Sequence, residues 1–137
     1  MALNVRSVDY YYTRVEDKPG RAYELLAKLA SEHVNLLAFS AVPYGANCVE
    51  LTIFPDNSGK LTETAKAAGW NLTGPQHAFL ITGDDELGAL AAIHLRLLDA
   101  KVNIYASTGV IDGKGGYGYV IYVKDADFPA ASKALAA

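Results

Sequence analysis

Two stretches of the chain, EDKPGRAYELLAKLASEHVNL from Glu16 to Leu36 and DDELGALAAIHLRLLDAKVNI from Asp84 to Ile104, repeat one another at an offset of 84 − 16 = 68 residues. At that offset Asp17 meets Asp85, Gly20 meets Gly88, Leu29 meets Leu97, Val34 meets Val102 and Asn35 meets Asn103. The match runs on without a gap through Ala38 and Ala106, Val42 and Val110, and Gly45 and Gly113. A correspondence this long specifies a shared fold unit, and two copies are too few for a solenoid. The copies divide the chain at 1–74 and 75–137.

Each copy opens with a strand-like run, SVDYYYTRV (Ser7 to Val15) and HAFLITG (His77 to Gly83), rich in the aromatic and β-branched residues that suit a pleated surface. A helix follows each run. In the first, Ala22, Leu25, Leu26, Leu29 and Ala30 make one apolar stripe, and Glu24 is placed to pair with Lys28. In the second, the stripe is Leu90, Ile93, His94, Leu97 and Leu98. The runs NLLAFSAVPYG and NCVELTIFPD, then NIYASTGVIDG and YGYVIYVKD, read as two hairpins with Gly-containing turns. An Ala-rich helix closes each copy, from Ser58 to Ala68 with Gly69 as its stop, and from about Asp127 to the chain end with Pro129 in its first turn.

The order strand, helix, strand, strand, helix is that of a split βαβ, ferredoxin-like α+β unit with an antiparallel sheet and helices on one face. In the first copy WNLTG is expected to supply a short last strand before Pro75, whereas the second copy has no such segment. Its first strand is then left with an open edge, which another part of the molecule or a second subunit must pair.

Composition narrows the function classes. Half of the 137 residues are hydrophobic and the net charge is −3, as expected of a soluble globular protein. No apolar run approaches the ~20 residues that cross a bilayer, and MALNVRSVDYYY lacks the apolar centre of a signal peptide, so a cytoplasmic location and no membrane partner are expected. The 12 basic residues are scattered and outnumbered by 15 acidic ones, which argues against nucleic acid. The single cysteine, Cys48, can form neither an internal disulfide nor a structural zinc site, and His33, His77 and His94 lack metal-ligand spacing. No cofactor is expected.

The repeated polar letters admit structural roles. Asp17 and Asp85 can cap the helices that follow them, Gly20 and Gly88 allow tight turns, and Asn35 and Asn103 can hydrogen-bond their own backbone. They also admit a binding role. The Gly turn offers N–H groups and a helix dipole to a carboxylate, Asp offers a charge to an ammonium, and Asn offers a donor and an acceptor. Across a helix of about fourteen residues, ~20 Å, the two ends of one copy cannot share a small ligand. Facing units can.

On these residues, VEDKPGRAYELLAKLASEHVNLLAFSAV resembles the opening of an ACT domain, the small regulatory module that senses amino acids, and GDDELGALAAIHLRLLDAKVNIYASTGV resembles a second. The resemblance implies two ACT-type units in tandem, with effectors held at interfaces between units by the loop ending in Gly and the residues before the second strand. Those positions are Asp17, Lys18, Gly20, Asn35 and Leu36 in the first copy, and Asp85, Glu86, Leu87, Gly88, Asn103 and Ile104 in the second. Leu87 replaces the family's proline. Val15 and Asp84 stand where some serine-binding members carry histidine, so serine is not the expected ligand.

The implied protein is a non-catalytic sensor of a free amino acid or similar small acid, a homodimer acting on an enzyme in trans. Two alternatives stay open: an interaction module without a ligand, and a small enzyme using a cavity between ferredoxin-like units. Gly113, Gly115 and Gly118 satisfy a dinucleotide-like glycine pattern but open no helix. His94 occupies the stripe position of Leu26, as a locally hydrogen-bonded histidine or as a residue facing another subunit. The tyrosines Tyr10, Tyr11, Tyr12, Tyr117, Tyr119 and Tyr122 are expected to be amphipathic strand residues whose hydroxyls reach water, or interface anchors. The acids Asp84, Asp85 and Glu86 are read as the favourable first-turn charges of a helix rather than a cation site.

Overall fold

The computed structural model describes residues 3–137. The chain forms β1 (Asn4–Glu16), α1 (Arg21–Ser31), β2 (Leu36–Pro43), β3 (Cys48–Pro55), α2 (Ser58–Ala68), β4 (Thr73–Asp84), α3 (Ala89–Asp99), β5 (Ala106–Ile111), β6 (Gly116–Tyr122), a 3₁₀ turn (Asp125–Asp127) and α4 (Phe128–Leu135). This is the α+β class read from the sequence, with antiparallel ladders of ferredoxin type. Two compact units divide the chain.

One unit is Asp9–Gln76, here called the N-terminal unit. Its strands follow the order β2, β3, β1, and β1 has β4 as its other neighbour, with the β4 start up to Gln76 belonging to this unit. Tyr10 Oη donates to Gln76 Oε1 at 2.9 Å, and Thr13 Oγ1 to the Asn71 carbonyl at 3.0 Å. Leu25 and Leu29 of α1 and Leu61 of α2 pack with Tyr11, Leu51 and Ile53 into the core, flanked by Trp70 and Leu72.

The other, the C-terminal unit, joins His77–Ala137 to the start of the chain up to Val8. Its strands follow β4, β6, β5, and the outer edge of β4 is covered by β1, whose Val5 packs against this unit's core. The edge that the sequence leaves open is thus filled from within the same chain. Ile93 and Leu97 of α3 and Ala131 and Leu135 of α4 pack on Phe79, Ile81 and Ile121. Phe128 stacks on Phe79 with ring centroids 4.4 Å apart.

The strand registers repeat with the sequence. Tyr11 lies opposite Ile53 and Glu16 opposite Cys48, while Phe79 lies opposite Ile121 and Asp84 opposite Gly116. Every member is displaced by the same amount: 79 − 11, 121 − 53, 84 − 16 and 116 − 48 all equal 68. Ala38 opposite Phe54 recurs as Ala106 opposite Tyr122. Helices α1 and α3 also end alike. His33 (φ 58°) and Lys101 (φ 60°) take left-handed conformations, and Val34 N–H and Val102 N–H return to the carbonyls of Leu29 and Leu97 at 2.9 Å.

Several local expectations are revised. Pro75 does not follow a separate short strand: WNLTG reaches strand geometry only at Thr73, and β4 continues through Pro75 to Asp84. The apolar stripe of α3 is only partly buried, since Ile93 and Leu97 face the core while Leu90, His94 and Leu98 are exposed. Glu24 pairs back to Arg21 at 3.5 Å, and Lys28 pairs onward to Glu32 at 3.9 Å, because each finds an opposite charge on its own side of the helix. Tyr10, Tyr11, Tyr117 and Tyr119 are buried core residues, and the Tyr10 and Tyr119 hydroxyls meet protein partners, Gln76 for the first and His94 and Ser107 for the second.

Candidate functional site

The loop between β4 and α3 is shaped by its backbone. Gly88 is the N-cap of α3 in the left-handed region (φ 83°), and no side chain caps the helix; Gly20 repeats this at α1 (φ 89°). Asp85 and Asp17 are therefore not capping residues. Each precedes a one-turn link in which Glu86 O accepts from Ala89 N–H at 3.1 Å, or Lys18 O from Arg21 N–H at 3.3 Å. Both Asp residues are exposed. A helix start without a side-chain cap leaves N–H groups and positive potential available to an anion.

The hairpin between β5 and β6 holds this loop in place. Asp112 Oδ1 accepts from Lys114 N–H at 2.6 Å and from Gly116 N–H at 3.0 Å. Those two bonds, the Lys114 one foremost, hold the Asp112 carboxyl below the usual range. The turn so fixed presents the Gly115 carbonyl to Asp85 N–H at 2.9 Å. In the N-terminal unit, the Asn47 carbonyl holds Asp17 N–H at 3.0 Å.

Between the loop, the start of α3 and the outer strand β5 lies a cavity of about 650 Å³, within the range of small-molecule sites. Asp85, Glu86, Leu87 and Gly88 line it, and Gly109–Ile111 with Tyr117 form the facing wall. Tyr117 is buried and lies over Gly83, where an added Cβ would stand 2.9 Å from its hydroxyl. Burial pushes the phenol upward and the charge of Asp84 adds to the effect, so the group stays neutral.

Asn103 and Ile104 are not part of that cavity. They line a second one of about 450 Å³, on the flank of α3, with His94, Leu95, Leu98 and Val102. His94 Nε2 is 2.7 Å from Tyr119 Oη, and Tyr119 Oη donates to Ser107 Oγ at 2.8 Å. The local hydrogen bond read from the sequence for His94 is present, although the side chain stands at an exposed position. A third, smaller cavity of about 180 Å³ is lined by Leu3, Asp84 and Arg96.

In the N-terminal unit, Lys18 Nζ pairs with Glu16 Oε2 at 3.0 Å and Arg21 with Glu16 Oε1 at 3.2 Å, so ion pairs span the loop that carries Asp17 and Gly20. Asn35 accepts from Asp56 N–H through its carbonyl at 2.9 Å, and Leu36 starts β2 against the core. The structure brings Asp85, Glu86, Leu87 and Gly88 together and leaves Asn103 and Ile104 apart, as the helix length requires. The sequence reading did not include Val110, Ile111 and Tyr117, which topology alone carries to the loop. The Tyr119 and Ser107 partners of His94 were visible as apolar-to-polar changes at the 68-residue offset, from Leu51 and Phe39.

No family model matches the sequence, and no curated protein matches it. Solved structures match along nearly the whole chain. Protein BT0572 from Bacteroides thetaiotaomicron aligns with TM-score 0.81 at 20% identity over 96% of this chain and 88% of that one. The regulatory subunit of aspartate kinase from Thermus thermophilus aligns at 0.66 and 15% identity, covering 98% and 93%. Its counterpart from Thermus flavus aligns at 0.61 and 14%, covering 98% and 94%. At these identities the fold is what is shared.

Proposed function

We propose that the chain is a non-catalytic regulatory protein made of two ACT-like units in tandem, from sequence copies 1–74 and 75–137, that binds a free amino acid or similar small acid. The observation that carries this reading is the 650 Å³ cavity where the acids Asp85 and Glu86 adjoin an uncapped helix start. A zwitterion needs both signs of potential, an acid for its ammonium and N–H groups for its carboxylate. The likeness in fold to regulatory subunits of aspartate kinase supports a regulatory rather than a catalytic role.

Asp17, Lys18 and Gly20 form the corresponding half-site of the first copy. Asn35, Leu36, Asn103 and Ile104 stand at the far helix ends and serve a different ligand atom set from the one held at either loop. A second copy of the chain closes the cavity by pairing along β5, which is exposed throughout and carries neither proline nor charge. Ligand binding favours that association, and the output is read by an enzyme in trans. No cofactor takes part, and the setting is cytoplasmic.

Thermal melting against the proteinogenic amino acids and a few keto acids tests the proposal. A ligand at about 100 times its dissociation constant stabilises by ~2.7 kcal/mol. The absence of any shift would leave the ligand-free interaction module, which the exposed Leu90, Leu95, Leu98 and Val110 favour as the second reading.

A further inference from the structure

We propose that Asp84 and the Tyr117 hydroxyl, at the wall between the 650 Å³ and 180 Å³ cavities, form a seat for a primary ammonium group. The inference deepens the amino-acid reading of the large cavity and rests on that reading for the natural bearer of the ammonium. Glu86, Ala89 and Tyr117 line both cavities, and Gly83, Asp84 and Arg96 line the smaller one. All of them belong to the C-terminal unit.

Two replacements at the 68-residue offset make the seat. The first is one of charge. In the N-terminal unit Glu16, the counterpart of Asp84, holds Lys18 Nζ at 3.0 Å and an Arg21 guanidinium nitrogen at 3.2 Å. Those two cations are replaced by Glu86 and Ala89 in the C-terminal unit. Among the described residues neither Asp84 nor Glu86 has an ion pair, and only a methyl group stands where the arginine side chain begins in the other copy. The acid is kept and its internal cations are gone, which leaves the place open to a cation from outside.

The second replacement is in the floor. Val15 faces Val49 across β1 and β3, and the same register sets Gly83 opposite Tyr117. A Cβ on Gly83 would stand 2.9 Å from both Cε1 and Oη of the ring, so the hydroxyl end lies over a residue that lines the small cavity. Tyr117 is only 9% exposed, and among the described residues its hydroxyl meets no hydrogen-bond partner. Two valines serve the fold at this place in the other copy, so the sheet requires neither the buried phenol nor its unmet hydrogen bond. An ammonium seated here donates to Tyr117 Oη, while the Asp84 carboxylate balances its charge. Arg96 is the basic side chain of the small cavity, two turns (~10 Å) along α3 from Ala89, and it opposes a cation from that end.

The test uses the full chain and two probes of similar shape, isobutylamine and isovalerate, with the Gly83 and Asp84 amide resonances followed by NMR. Isobutylamine is expected to shift them saturably, and isovalerate to leave them unmoved. Asp84→Asn and Tyr117→Phe should each weaken the amine about tenfold, the worth of a hydrogen bond to a charged group. Ala89→Arg, which restores the cation of the other copy, should close the seat to the amine, whereas Arg96→Ala should tighten binding. The same spectra report whether each variant is folded. Unmoved resonances in isobutylamine, an equal response to isovalerate, undiminished binding in Tyr117→Phe or Ala89→Arg, or weaker binding in Arg96→Ala would each overturn the proposal. Melting against amino acids decides the other reading separately. A stabilising amino acid with no response to isobutylamine keeps the large-cavity site and removes the seat; the converse keeps the seat and removes the amino acid.

Discussion

Gly109 of β5 lies opposite Tyr119 of β6, and a Cβ added to Gly109 would stand 2.9 Å from the tyrosine Cδ1. The corresponding pair in the N-terminal unit is Ala41 opposite Leu51. A larger residue on one strand has been accommodated by a smaller one beside it. Gly109→Ala should therefore destabilise the protein by about 1–3 kcal/mol, the usual cost of overpacking. Adding Tyr119→Leu should recover most of that loss, and urea denaturation of the two single variants and the double variant measures the coupling.

Gly20 and Gly88 make a simpler case, because an added Cβ meets nothing within 4 Å at either position. Only the left-handed backbone opposes a side chain there, so Gly20→Ala and Gly88→Ala should each cost about 1–2 kcal/mol in denaturation experiments. Equal losses would mark the two loops as equivalent in structure even if only one binds a ligand.

Asp112 carries a pH dependence whose sign follows from its hydrogen bonds. Its folded-state pKa lies below the unfolded value, so its contribution is fully present above the unfolded pKa and is lost as pH falls through the folded one. Asp112→Ala should thus be less stable than the parent near neutrality and converge with it in acid, below about pH 4. Paired denaturation curves across that range would show the convergence. Exchange of the Asp85 amide should also speed up in the variant, because the turn that presents Gly115 to it is loosened.

Val110 is the residue through which self-association can be tested. It is 72% exposed on an edge strand, and a lysine there places like charges against each other in a symmetric β5 pairing. Sedimentation of Val110→Lys should show the monomer at concentrations where the parent is a dimer. An unchanged sedimentation coefficient would remove β5 from the interface.

The amino-acid reading of the large cavity predicts that Asp85→Asn weakens binding about tenfold or more, the worth of a charged hydrogen bond. Calorimetry with the amino acid found by melting measures this. Asp17→Asn, in a loop spanned by the ion pairs of Glu16 with Lys18 and Arg21, should have the smaller effect.

Much of the fold could be read from the repeat, since the spacing that aligns Gly20 with Gly88 also aligns every ladder pair described for β1 with β3 and β4 with β6. Helix ends were legible too, because Gly69 takes the left-handed stop expected of it. What escaped were features set by partners far along the chain. Periodicity grouped Leu90 and Leu98 with Ile93 and Leu97, yet a stripe does not tell which of its margins meets the sheet. The loop residues Asp85 to Gly88 stood out by their letters, whereas Ile111 and Tyr117 reach them only through the order β4, β6, β5. Asp17 and Asp85 looked like caps because the sequence does not reveal that the following glycine takes that position.

β1 begins in one compact unit and continues in the other, and β4 does so in the opposite sense. The chain can therefore be divided neither by a protease nor by a gene fusion into two finished pieces. A fragment taken from residue 75 onward would carry off a sheet without one of its edges, and the remainder would keep a strand start with nothing to cover. Whatever is inherited, transplanted or expressed from this sequence has to be the pair.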